Sequence, residues 1–161
     1  MADVRRVISI LVENESSVLS RVSGLFAGRG YNIETLTVAP IPNSNHSRMT
    51  IVTKGSKRVI EQITKQLHKL IPVYKVVEHD KMVEKEMVLA KFPIDENLAD
   101  IQALCQAYNG GIANVGRDMI IGMVTDEPCR VKHFLEATER YNPIEIVRSG
   151  VVAIERWKYI S

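Results

Sequence analysis

Residues 4–30 read VRRVISILVENESSVLSRVSGLFAGRG, and this stretch decides the fold. Val4 to Val12 is a nearly continuous β-branched run, which predicts a strand. Glu13 to Ser17 is polar and turn-like. Val18, Leu19, Val22, Leu25 and Phe26 then recur at helical spacing and mark one apolar face. Gly28-Arg29-Gly30 reads as a helix stop, because glycine accepts the left-handed backbone that ends helices. On the strand, Val7, Ser9 and Leu11 alternate with Ile8, Ile10 and Val12, so both faces are fairly apolar. One face suits the helices. The other calls for a second sheet or subunit, which predicts a homodimer.

Working outward, Tyr31 to Ala39 reads as a strand, with Leu36 and Val38 on one side and Ile33, Thr35 and Thr37 on the other. Pro40 to Ser47 is a hairpin loop, and Arg48 to Thr53 is the next strand. Lys57 to Leu70 predicts a helix that Pro72 ends, followed by a strand from Val73 to Val77. The order then recurs. Glu86 to Phe92 is a strand, and Asp95 to Tyr108 is a helix presenting Leu98, Ile101, Leu104 and Cys105. Gly110-Gly111 breaks that helix, and Ile112 to Val115 and Met119 to Thr125 form a strand pair. Glu127 to Arg140 is a helix, Ile144 to Val147 a strand, and Val151 to Ile154 adds another. The expected fold class is α+β, two tandem ferredoxin-like βαββαβ domains, each with both helices on one sheet face. The charged stretch Glu78 to Lys85 separates domain 1–78 from domain 84–161.

The 161 residues suffice for two small cores, and 21 Lys+Arg against 19 Asp+Glu leave no concentrated basic face for nucleic acid. RNA-binding domains of the same strand order stack bases on aromatic side chains. Here the equivalent strand, Arg48-Met49-Thr50-Ile51-Val52-Thr53, has none. No apolar run is long enough to cross a bilayer. The N-terminus lacks a cleavage site for a signal peptide, and Cys105 and Cys129 stand far apart, so a cytoplasmic location is expected. No zinc-type cysteine pair, HExxH, P-loop or nucleophile elbow occurs. His46, His68, His79 and His133 lack ligand-like spacing. The sequence therefore predicts no catalytic residue, no metal site and no cofactor on this chain. A small enzyme on this scaffold would have to rely on Glu13 and Glu15, with no base or nucleophile beside them.

The informative segment is Glu13-Asn14-Glu15-Ser16-Ser17, at the start of the first helix. First-turn N–H groups have no partner within the helix and carry partial positive charge. A small carboxylate can dock there. Asn14 carries an acceptor and donors, so it suits an ammonium and a carboxylate together. The competing reading is structural: Ser16 or Ser17 caps the helix and Asn14 makes a turn.

Ile8 to Glu15, then Leu19-Ser20-Arg21-Val22, Gly24-Leu25-Phe26 and Arg29-Gly30-Tyr31-Asn32-Ile33-Glu34 resemble the ACT domain of acetolactate synthase small subunits. Leu36 to Pro40, Ser47 to Ile51 and Glu61 to Leu67 continue the likeness, as do Val83 to Glu86 and Arg148-Ser149-Gly150. The resemblance implies a regulatory subunit that catalyses nothing alone. It would activate a catalytic large subunit carrying thiamine diphosphate, magnesium and FAD, and confer feedback inhibition by valine in branched-chain amino acid biosynthesis. It implies a homodimer with effector sites at the interface of two ACT domains. Asn14 and the amides of Ser17, Val18 and Leu19 would hold the effector's polar end, and Asn32 and Ile33 of the other subunit would close the pocket. Leucine or isoleucine could share that apolar pocket, since one methylene is worth only about 1–3 kcal/mol. Two departures stand out: Ser17 replaces a usual glycine, and Tyr108-Asn109-Gly110 and Ile112-Ala113-Asn114-Val115 lack an arginine and an aspartate usual in the family. Two alternatives stay open: a free-standing amino-acid sensor for another target, and an activator blind to effectors.

Overall fold

A computed structural model describes residues 2–70, 73–79 and 82–157, with the strand at 73–79 described by its backbone alone. The chain divides into one unit of Met1–Met82 with Ala153–Ser161, and a second of Val83–Val152.

The first unit runs β1 (Val4–Glu13), α1 (Ser16–Gly28), β2 (Ile33–Pro40), β3 (His46–Gly55), α2 (Lys57–His68) and β4 (Val73–His79). Its sheet order is β2-β3-β1-β4, with all neighbours antiparallel. This is the expected ferredoxin-like βαββαβ arrangement. Ile8, Ile10 and Val12 of β1 and Met49 and Ile51 of β3 pack against Val18, Val22 and Phe26 of α1 and Ile60, Ile63 and Leu67 of α2. The three α1 residues recur every fourth position and form one buried stripe. Each such side chain contributes roughly 1.5–3 kcal/mol when fully buried. Leu19, expected on that stripe, is 43% exposed.

α1 ends as the glycines predict. Gly30 has φ +67°, its N–H donates to Ala27 O, and the Tyr31 N–H donates to Phe26 O. The Tyr31 ring meets Phe26 edge-on, the hydrophobic contact that accompanies this type of helix stop. Pro72, the expected stop for α2, lies outside the described residues. α2 itself ends at His68.

One facing assignment changes. The β2–β3 register shifts between Ile33 and Thr35, so Ile33 packs against the same core as Leu36. An extra residue in one strand reverses the alternation beyond it. Val7 and Ser9, on the helix-free side of β1, are buried within a single chain.

The second unit repeats the order with β5 (Met82–Pro93), α3 (Leu98–Ala107), β6 (Gly110–Val115), β7 (Met119–Asp126), α4 (Pro128–Thr138), a 3₁₀ turn (Glu139–Tyr141) and β8 (Glu145–Arg148). Its sheet order is β6-β7-β5-β8, and a last strand, β9, spans Val152–Glu155. Val88, Phe92, Ile101, Cys105, Val124 and Phe134 centre its core. On the opposite face Met87 and Leu89 are exposed.

α3 starts three residues later than the sequence suggests. Pro93 and Glu96 close a turn, and the Asn97 side chain accepts from the Ala99 and Asp100 N–H groups. Leu98, expected inside, is 40% exposed. Gly110-Gly111, expected as a mere break, opens β6. Gly110 is needed there, because a Cβ would lie 1.8 Å from the Met123 carbonyl oxygen.

Candidate effector site

The turn between β1 and α1 is very short. Glu15 is the residue preceding the helix, and no side chain caps it. Ser16 and Ser17 lie inside the first turn, so the structural reading in which one of them caps the helix does not hold. Among the described residues the Ser16 and Ser17 N–H groups have no acceptor, and Val18 N–H reaches Glu15 O at 3.3 Å. The positive end of α1 is therefore left to solvent or to a ligand. Ser17 is not among the positive-φ residues, which are Asn43, Asn109, Asn142 and Gly30. Serine in place of the usual glycine thus carries no backbone strain.

Beside this turn lies an open cleft of about 450 Å³, lined by Glu13, Asn14, Glu15, Asn45 and His46. The start of β3 holds it in place. Asn14 N–H donates to Asn45 O at 2.9 Å, and Ser47 Oγ donates to Asn14 Oδ1 at 3.2 Å. His46 Nδ1 and Ser44 Oγ lie 2.9 Å apart. A side-chain hydrogen bond with Glu15 raises the pKa of the Glu13 carboxyl above the ordinary range. Desolvation and the Glu15 charge add to this, and His46 opposes it.

Asn14, Ser17, Val18 and Leu19 gather at this corner. Asn32 and Ile33 do not. Ile33 pairs with Thr53, whereas Glu13 pairs with His46, so the two groups flank opposite ends of β3. At about 3.4 Å per strand residue they stand roughly 24 Å apart. One chain cannot bring them together. Sequence reasoning did not single out Asn45, His46 or Ser47 as site residues. For Ser47 a signal existed, a hydroxyl at an inward strand position otherwise filled by Met49 and Ile51.

The charged groups elsewhere serve structure. Asp126 and Glu86 are buried and directly opposed on β7 and β5, and each has its own cation. Arg130 Nε lies 2.6 Å from Asp126, and Arg148 Nη2 lies 2.7 Å from Glu86. Burial pushes the Cys105 thiol pKa up and keeps it un-ionised, which suits packing and not nucleophilic chemistry. Among the described residues no cluster of His, Cys, Asp and Glu could hold a metal ion, and no helix is long and apolar enough to cross a membrane.

Residues 8–75 match the family described as AHAS small subunit-like ACT domain, and residues 85–157 match the small subunit of acetolactate synthase. The chain belongs to the acetolactate synthase small-subunit family. Its similarity to the acetolactate synthase small subunit of Haemophilus influenzae is 41% identity over 157 residues, covering 95% of this chain and 96% of that protein. The isozyme 3 small subunit of Escherichia coli gives the same identity and the same coverage. The crystal structure of the Thermotoga maritima small subunit is similar with a TM-score of 0.86 at 36% identity, covering 96% of this chain and 99% of that one. In the terms of this family the chain is a regulatory, non-catalytic subunit of an enzyme assembly, and its first unit is an ACT domain.

Proposed function

We propose that this chain activates an acetolactate synthase catalytic subunit and makes it sensitive to valine. The effector binds at the start of α1 and is completed by Asn32 and Ile33 of a second copy. The observation that carries this reading is the uncapped α1 terminus beside Asn14. It offers unpaired N–H groups to a carboxylate, and the exposed Leu19 stands next to it for an isopropyl group. Topology supports the composite pocket. β2 is an edge strand of its sheet, with backbone groups open to a partner. Antiparallel pairing of β2 with β2 of a second copy carries each Asn32 toward the other copy's Pro40. Pro40 pairs with Ser47, so that end of the sheet is also the Asn14 end.

The chemistry belongs to the catalytic subunit, with thiamine diphosphate, magnesium and FAD bound there, in the cytoplasm. Valine inhibits if it binds better to the arrangement that leaves that subunit less active. Coupling of this kind is typically about 1–3 kcal/mol, or roughly five- to 150-fold. The test is acetolactate formation by the catalytic subunit, with and without this chain, across a valine titration. The expected result is a rate raised by this chain and lowered again by valine. No response to the chain would remove the activator role, and a raised rate that ignores valine would remove the effector role.

A further inference from the structure

Ser47 and Thr53 occupy two inward positions of β3, on either side of the core residues Met49 and Ile51. Both are buried, at 4% and 0% exposure. Ser47 Oγ donates to Asn14 Oδ1, and Thr53 Oγ1 donates to the Asn32 carbonyl. These are the two segments that a second copy would bring together. We infer that Ser47 and Thr53 are positioning residues of the effector site: each buried hydroxyl fixes one half-site, and Ser47 sets which way the Asn14 amide faces. This rests on the effector reading above.

The orientation follows from hydrogen-bond accounting. A buried hydroxyl hydrogen needs an acceptor, and leaving it without one is costly. Among the described residues Asn14 Oδ1 is the acceptor that Ser47 has. Turning the amide over would place Nδ2 against Ser47 Oγ and orphan the hydroxyl hydrogen. The backbone agrees, since Asn14 N–H is tied to Asn45 O, so residues 45–47 grip Asn14 twice. Nδ2 has no partner among the described residues and remains as a donor. Asn14 therefore contributes a donor to the effector's carboxylate, in line with the free N–H groups of α1. Its oxygen is already committed within the protein.

The test is valine binding to the full-length chain by titration calorimetry, with melting curves to show that each variant folds. S47A is expected to weaken valine binding about five- to tenfold, the effect of one hydrogen bond. S47T keeps the hydroxyl and is expected to bind as the parent does. In an N14A background the effect of S47A is expected to vanish, because Ser47 acts through Asn14. T53V is expected to weaken binding, and T53S to retain it. Unchanged binding in S47A and T53V overturns the inference. So does a loss in S47T as large as in S47A, or additivity of S47A with N14A. If N14A itself leaves valine binding intact, the effector reading fails and the inference falls with it.

Discussion

The two units put the same connection to opposite uses. Each has a strand leading into its first helix, β1 into α1 and β5 into α3. In the second unit the Asn97 side chain caps α3 and Asp100 adds an acidic side chain to the first turn. In the first unit nothing caps α1, and its first turn has neither a cap nor an acidic residue. A capped terminus is satisfied from within, and an uncapped one is available. Shared topology thus does not imply a shared site. Of these two equivalent helix ends, only that of α1 is left open to a carboxylate.

The largest expected effect comes from crowding one unit and not the other. G110A puts a Cβ into the Met123 backbone and is expected to cost about 3 kcal/mol or more, or to prevent the second unit from folding. G24A in α1 meets nothing within 4 Å and is expected to gain about 0.5–1 kcal/mol. Thermal melts of both variants check this, and equal costs would erase the contrast.

Next comes the buried carboxylate. Burial favours the protonated form of Asp126, but the hydrogen bonds from Arg130 and from the Glu127 N–H, with the charges of Arg130 and Lys85, outweigh it and lower its pKa. A lowered carboxyl pKa stabilises the fold above the unfolded value, and this is lost as pH falls through the folded value. D126N is expected to cost about 1–2 kcal/mol at neutral pH, since its cations are half-exposed. Its stability is also expected to fall less than the parent's on acidification. Denaturant titrations at neutral and acid pH read both.

The smallest effect sharpens the comparison most. N97A removes a cap and is expected to cost about 1 kcal/mol, whereas S16A and S17A remove none and are expected to stay within about 0.5 kcal/mol. A cost in S17A equal to that in N97A would mean that α1 is capped after all.

Much of the fold was legible in the chain. Val18, Val22 and Phe26 announce a helix, Gly30 ends it, and the strand-helix order recurs after residue 82. Periodicity carries that information locally. The bulge that turns Ile33 inward was not legible, because register depends on the partner strand. The start of α3 was misplaced because Asp95 and Asn97 are both credible caps, and the Pro93–Glu96 turn chooses between them.

The sequence alone determined the βαββαβ units and most of the apolar stripe of each helix, because these follow from residue spacing within a few turns of chain. Only the tertiary structure decided that α1 is uncapped and that Ser47 grips Asn14 across a gap of 33 residues. It also decided that Asn14 and Asn32 flank opposite ends of β3. A hydrogen bond between distant residues is set by strand pairing, which no local pattern encodes.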